Sequence, residues 1–142
     1  MISTRGRYAL RMMLDLAEHQ GDGVVALKDI AARQEISKKY LEQIIPVLNR
    51  AGLLQTTRGV QGGYRLTRRP EEYTLGDILR TTETGLTSVA CLEKDAPQCP
   101  RSQECLTLPV WQGLDRVVNE YLDSITLQDV LDRKQVGNDY VI

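Results

Sequence analysis

The 142-residue sequence predicts a mostly helical fold with one β-hairpin, and three observations carry that expectation. Residues 4–20, 27–34 and 38–50 place apolar side chains at helical spacing. Two short stretches then alternate at strand period on either side of a glycine-rich joint. Further on, Leu106, Val110, Leu114, Val117, Val118, Tyr121 and Leu122 recur at steps of four, four, three, one, three and one, which predicts one long helix with a continuous apolar face. Helix, helix, helix, hairpin is the order of a winged helix-turn-helix, and the long C-terminal helix is the expected dimerisation element.

The first helix carries Leu10, Met13, Leu14, Leu16 and Ala17 inward, with Ser3 or Thr4 as N-cap and Gly21 as its stop. Val24-Val25 forms a brief strand, and residues 27–34 make a two-turn helix that buries Ile30 and Ala31. Glu35-Ile36-Ser37 is a turn short enough for the helix-turn-helix motif, and Ser37 caps the third helix. Pro46 lies inside that helix and removes one backbone donor, so a kink or slackened turn is expected near Glu42. Leu53-Leu54-Gln55-Thr56-Thr57 and Tyr64-Arg65-Leu66-Thr67 form the hairpin, and the glycines of Arg58-Gly59-Val60-Gln61-Gly62-Gly63 supply the turn.

Thr74-Leu75-Gly76-Asp77 reads as a capped helix start, leading to a short helix over 75–82. An irregular loop follows, with Pro97, Pro100 and every cysteine of the chain. Pro109 falls in the first turn of the long helix, where proline is tolerated. Asp123-Ser124 interrupts it, and Thr126-x-x-Asp129 caps a final short helix. The expected organisation is a winged helix-turn-helix domain over 1–69, a connecting short helix over 70–82 and a cysteine-bearing loop over 83–105. A dimerisation helix with a short capping helix then spans 106–134, and a tail spans 135–142.

The formal net charge of −1 hides a division. Residues 1–69 hold 12 Lys and Arg against 6 Asp and Glu, whereas residues 70–142 hold 6 against 13. A basic first half suits contact with a polyanion, because Lys and Arg contacts to phosphate supply most sequence-independent nucleic-acid affinity. In this fold the helix after the turn enters the major groove N-terminus first, and an arginine at the hairpin tip enters the adjacent minor groove. The apolar face of the long helix fits a two-fold dimer, which in turn fits a palindromic site on double-stranded DNA. No run of eighteen apolar residues offers a membrane span, so a cytoplasmic location is expected.

Catalysis is not expected. His19 is the one histidine, placed as a helix C-terminal residue, which leaves little from which to build a His-based triad. No G-x-G-x-x-G occurs, and no Gly-Lys-Ser/Thr follows the glycines of the hairpin joint.

Cys91, Cys99 and Cys105 lie within fifteen residues, with spacers of seven and five. Thiolates are soft anionic donors for zinc and for iron–sulfur clusters. Structural zinc asks for four Cys or His ligands and a tight knuckle, and neither is present. An iron–sulfur cluster, 2Fe-2S or 4Fe-4S, whose fourth ligand is not a cysteine of this chain is the preferred reading. Free thiols without metal, and a switch that pairs two of the three, stay open beside it.

Three stretches resemble the Rrf family of bacterial winged-helix regulators: Ile2-Ser3-Thr4-Arg5-Gly6-Arg7-Tyr8-Ala9-Leu10, Ile36-Ser37-x-x-Tyr40-Leu41-Glu42-Gln43-Ile44, and Arg58-Gly59-x-x-Gly62-Gly63-Tyr64-x-Leu66. The cysteine trio resembles that of its iron–sulfur branch. The resemblance implies a homodimeric transcription factor of the bacterial nucleoid that senses cluster, iron or redox status, controls iron–sulfur assembly genes and has cluster-assembly proteins among its partners. It puts Ser37, Lys38, Tyr40, Glu42 and Gln43 in the major groove and Arg58 in the minor groove. Residue chemistry agrees, since Gln pairs with adenine, Glu accepts from cytosine N4 and Arg suits a narrow groove. Lys28 and Lys39 read as phosphate contacts. Helix packing is the alternative role for Tyr40 and Gln43.

The sequence departs from the family pattern at the fourth ligand. Leu108 stands where the iron–sulfur branch has a histidine, and Tyr8 stands where the nitric oxide-sensing branch has an acid. Glu93, Asp95, Ser102, Glu104, water or a thiol from solution are the remaining donors. A sulfur-metabolism branch of the same family, controlled by a partner protein or by thiol oxidation without a cluster, is the alternative.

Overall fold

The computed structural model describes residues 1–83 and 85–136. Six helices, α1 (Thr4–His19), α2 (Leu27–Gln34), α3 (Lys38–Arg50), α4 (Leu75–Thr82), α5 (Leu108–Asp123) and α6 (Leu127–Val136), accompany a hairpin of β1 (Leu54–Thr57) and β2 (Gly63–Leu66). The tail expected over 135–142 lies, beyond Val136, outside the described residues.

The caps fall where side-chain chemistry puts them. Ser3 Oγ accepts from the Gly6 N–H at 3.2 Å to start α1, and Ser37 Oγ accepts from the Tyr40 N–H at 3.1 Å to start α3. Between α2 and α3 the chain reverses on Glu35, held in the left-handed region at φ 54°. α3 runs unbroken through Pro46. Pro46 and Glu42 are both on the exposed face, so the carbonyl that loses its partner is on the solvent side and no break follows. Thr74 and Asp77 form a reciprocal capping box at α4, and Thr126 and Asp129 exchange the equivalent bonds at α6, at 2.9 and 3.0 Å.

In the antiparallel hairpin Leu54 faces Leu66 and Thr57 faces Gly63. The brief strand at Val24-Val25 is a single bridge, Val25 to Tyr64, closed by two 2.9 Å backbone bonds. Gly63 is required there, since a Cβ would sit 2.4 Å from the Val25 carbonyl oxygen. Tyr73 is fully buried and its hydroxyl ties the hairpin root together. It accepts from the Thr67 and Arg68 N–H groups at 2.9 and 3.1 Å and donates to the Leu53 carbonyl at 2.9 Å.

One core, built from Met12, Met13, Leu16, Ile30, Leu41, Ile44 and Leu48 with the hairpin leucines, also takes Tyr73, Ile78 and Leu127 from the second half. A small second cluster joins Leu79, Leu86 and Leu122, with Val118 against it. The single apolar face expected on the long helix is therefore two faces. Val118 and Leu122 turn toward α4 and the loop, whereas Val110, Leu114, Val117 and Tyr121 are 42–61% exposed, at steps of four, three and four. Leu106 precedes the helix and is almost fully exposed.

Candidate nucleic-acid interface and cysteine loop

The first turns of α3 present Lys38, Lys39, Glu42 and Gln43 to solvent, while Leu41, Ile44 and Ile45 anchor the opposite side. Four polar side chains at helical spacing on one exposed face, unpaired among the described residues, can meet base edges and phosphates together. Ser37 is exposed too, with its oxygen already accepting as the N-cap, so its O–H remains to donate to a phosphate. Tyr40 is half-buried, and its ring meets the Tyr8 ring edge-on at 5.2 Å. Packing, one of the two roles weighed for Tyr40, is therefore present in the fold. Lys28 is exposed on α2. Arg58 is exposed at the start of the joint between the strands, beside Val60 at the fully exposed tip. Asn49 of α3 exchanges hydrogen bonds with Thr56 of β1 at 3.1 and 3.3 Å, which links the helix to the wing.

The frame behind this face is ionic as well as apolar. Asp15 of α1 is 1% exposed and takes two bonds from Arg33 of α2, at 2.7 and 3.0 Å, and one from Gln34 at 2.9 Å. Burial pushes the Asp15 carboxyl up, but the hydrogen bonds from Arg33 and Gln34 with the Arg33 charge outweigh it and hold the group below its ordinary value. His19 closes the cluster, its Nδ1 at 3.0 Å from the Asp15 carbonyl oxygen and 3.7 Å from the carboxylate. This places it as the helix C-terminal histidine that its position suggests. Asp15 and Arg33 carry no motif of their own in the sequence; an acid on the same helix face as Met12 and Leu16 is the available sign.

The cysteine loop is built differently. No residue from 87 to 121 is buried, so neither the loop nor most of α5 has a core of its own. Cys91 is exposed in a single 3-10 turn, Ala90–Leu92, and Cys99 and Cys105 are half-covered free thiols. Cys105 Sγ lies 3.5 Å from Thr107 Oγ1 at the head of α5. That hydroxyl, then the N–H groups of Leu108 and Thr107, hold the Cys105 thiol below its ordinary value. Among the described residues no three His, Cys, Asp or Glu side chains come together closely enough to hold a metal ion. The donor set fits an iron–sulfur cluster in kind, with three soft thiols and acids close by in sequence, but the loop has to close to assemble it.

Among the described residues no helix is long and apolar enough to cross a membrane. A profile of the Rrf2 family, described as "Iron-dependent Transcriptional regulator", matches residues 2–133. Protein rrf2 of Nitratidesulfovibrio vulgaris is 41% identical over 130 residues, 92% of this chain and 86% of that protein. The solved structure of T. potens IscR is 40% identical with a TM-score of 0.78, covering 100% of this chain and 93% of that one. The structure of CymR (YrzC), the global cysteine regulator of B. subtilis, is also 40% identical, with a TM-score of 0.73 over 92% of this chain and 95% of that one. The matched span takes in the capped α3, the wing and the cysteine loop. The chain belongs to the Rrf2 family of winged-helix, DNA-binding transcriptional regulators, which are not enzymes.

Proposed function

We propose that the chain is a homodimeric, sequence-specific regulator whose choice of DNA site is set by an iron–sulfur cluster held by Cys91, Cys99 and Cys105, and that it controls iron–sulfur assembly genes. One observation carries this reading: every cysteine of the chain sits in a loop with no core of its own, leading into the helix with the exposed apolar stripe. Beyond Leu86 the loop buries no side chain, and a segment with so few buried contacts opens easily, so a bound group can set its conformation. When bound, the cluster supplies a centre that responds to iron, oxygen and redox state. The fourth donor is Glu93, Asp95, Ser102, Glu104, water or a solution thiol.

The chain's own residues do the rest. Val110, Leu114, Val117 and Tyr121 repeat like a coiled-coil seam, and the same face of a second copy is their natural cover. Two copies related by a two-fold axis present two α3 helices to a palindromic operator. Lys38, Tyr40, Glu42 and Gln43 read base edges with Ser37 beside them, Lys28 and Lys39 hold phosphates, and Arg58 enters the minor groove. Closure of the loop favours one relation of α5 to α1 and α3, which is a population shift rather than a new fold. Such a regulator works in the bacterial cytoplasm on the nucleoid, and receives its cluster from assembly proteins.

A second reading is favoured by the likeness to CymR: a sulfur-metabolism repressor controlled by a partner protein or thiol oxidation. Anaerobic purification followed by a visible absorption spectrum, with iron and acid-labile sulfide assays, separates the two. The cluster reading expects a brown protein with equal iron and sulfide. A protein that stays colourless after reconstitution supports the second reading and leaves DNA binding intact.

A further inference from the structure

We infer that Glu83 is a positioning residue for the recognition helix, acting through the N-terminus of α1; the inference rests on the DNA-binding reading of α3. Glu83 is the residue at which α4 ends and the cysteine loop begins, and its N–H still bonds to the Leu79 carbonyl at 2.8 Å. Its carboxylate reaches back eighty residues. Oε1 accepts from both the Ser3 N–H and the Ser3 O–H, each at 2.8 Å, while Ser3 Oγ accepts from the Gly6 N–H. The N-cap of α1 is thus itself capped by an acid, in the place where a helix N-terminus favours negative charge.

Gly6 is what lets the carboxylate in. A Cβ at that position would sit 2.1 Å from Glu83 Oε1 and 3.1 Å from Leu79 Cδ2. This gives a physical role to the Ser3-Thr4-Arg5-Gly6 run, which the groove-contacting residues leave unexplained. Five residues after Ser3, Tyr8 packs edge-on against Tyr40 in the first turn of α3, and Arg11 lies 5.3 Å over the Tyr8 ring while bonding to Gln34 of α2. An open surface groove bordered by Ser3, Thr4, Arg5, Tyr40, Thr82 and Glu83 puts the carboxylate and the first turn of α3 on its two sides. A rigid helix held at Ser3 and touching α3 at Tyr8 transmits a shift at one end to the other. Releasing the Glu83 bonds frees the first turn of α1 and, with it, the ring against which Tyr40 is set.

The test uses the full chain, metal-free after chelation, and the duplex that the wild type enriches from a random pool, with a shuffled duplex as the non-specific control. Glu83→Ala is expected to weaken specific binding about 3- to 30-fold, the range of mutations that act through a packed network, while binding of the shuffled duplex is unchanged. Glu83→Gln keeps an accepting Oε1 and is expected to bind as the wild type does. In a Tyr8→Leu background Glu83→Ala is expected to have little further effect, since the route is already cut. If Glu83→Ala does not fold, Glu83→Asp, one methylene too short to reach Ser3, takes its place. Unchanged specific binding in the folded variant overturns the inference, as does an equal loss on both duplexes. A wild type that enriches no duplex overturns the DNA-binding reading and this inference with it.

Discussion

Arg33→Met is the sharpest test of the frame beneath the recognition helix. The substitution keeps length and apolar stem but removes the guanidinium that gives Asp15 two hydrogen bonds, at 2.7 and 3.0 Å. Asp15 then remains buried with Gln34 as its one cross-helix donor. Removing one partner of a fully buried ion pair costs about 3–5 kcal/mol. Arg33 keeps 36% of its side chain in water and Gln34 stays, so the expected loss is smaller, about 2–3 kcal/mol. For a chain of this size that lowers the thermal midpoint by about 6–10 °C. The pH dependence has a definite sign. A carboxyl held below its unfolded value contributes stability that is present above that value, near 4, and is lost as pH falls through the folded value. In the variant most of the downward pull is gone while burial still pushes upward, so protonating Asp15 in acid costs it little stability or restores some. The gap between wild type and variant is therefore widest at neutral pH and narrows in acid. Urea unfolding followed by circular dichroism at fixed protein concentration, at pH 7 and near pH 3, measures both. A loss below about 0.5 kcal/mol at pH 7, or a gap of equal size at both pH values, would refute the reasoning.

Three further outcomes are expected. Tyr73→Phe strips the hairpin root of its shared hydroxyl and leaves the buried Leu53 carbonyl without that donor, which costs about 1–3 kcal/mol in urea unfolding with secondary structure retained. Val117→Asp, on the exposed stripe of α5, leaves the helical circular dichroism signal intact but turns a dimer into a monomer in sedimentation velocity; an unchanged dimer would place the interface elsewhere. In metal-free protein near neutral pH, Cys105 reacts with iodoacetamide faster than Cys91 or Cys99, as its lowered thiol implies, and peptide mass spectrometry ranks the three directly.

Much of this molecule is legible in local chemistry. Ser3, Ser37, Thr74 and Thr126 announce their helices because each is followed at short range by the groups it caps, and α2 and α3 lie where apolar spacing and Ser37 put them. The exposed face of Lys38, Lys39, Glu42 and Gln43 follows from the burial of Leu41, Ile44 and Ile45 on the other side. What periodicity does not carry is the pairing of distant side chains. Asp15 and Arg33 are eighteen residues apart, Glu83 and Ser3 eighty, and only packing of α1 against α2 and α4 brings them together. The long helix shows the same limit. Its sequence contains enough apolar residues for a seam and a core contact, and the structure divides them, with Val118 and Leu122 turned inward and Val117 and Tyr121 left outside. The cysteine loop is visible as a loop and as a set of donors, but with no buried side chain from 87 to 105 it offers no apolar pattern from which its conformation could be read.

The most direct test of the account is the affinity of one enriched duplex for the same preparation before and after anaerobic iron–sulfur reconstitution, measured by fluorescence anisotropy at fixed salt. Coupling between the cysteine loop and α3 predicts that the two states differ by about 5- to 150-fold, and that a Cys91→Ala, Cys99→Ala, Cys105→Ala triple variant shows no difference. Equal affinity of the two wild-type states across all enriched sites would contradict it.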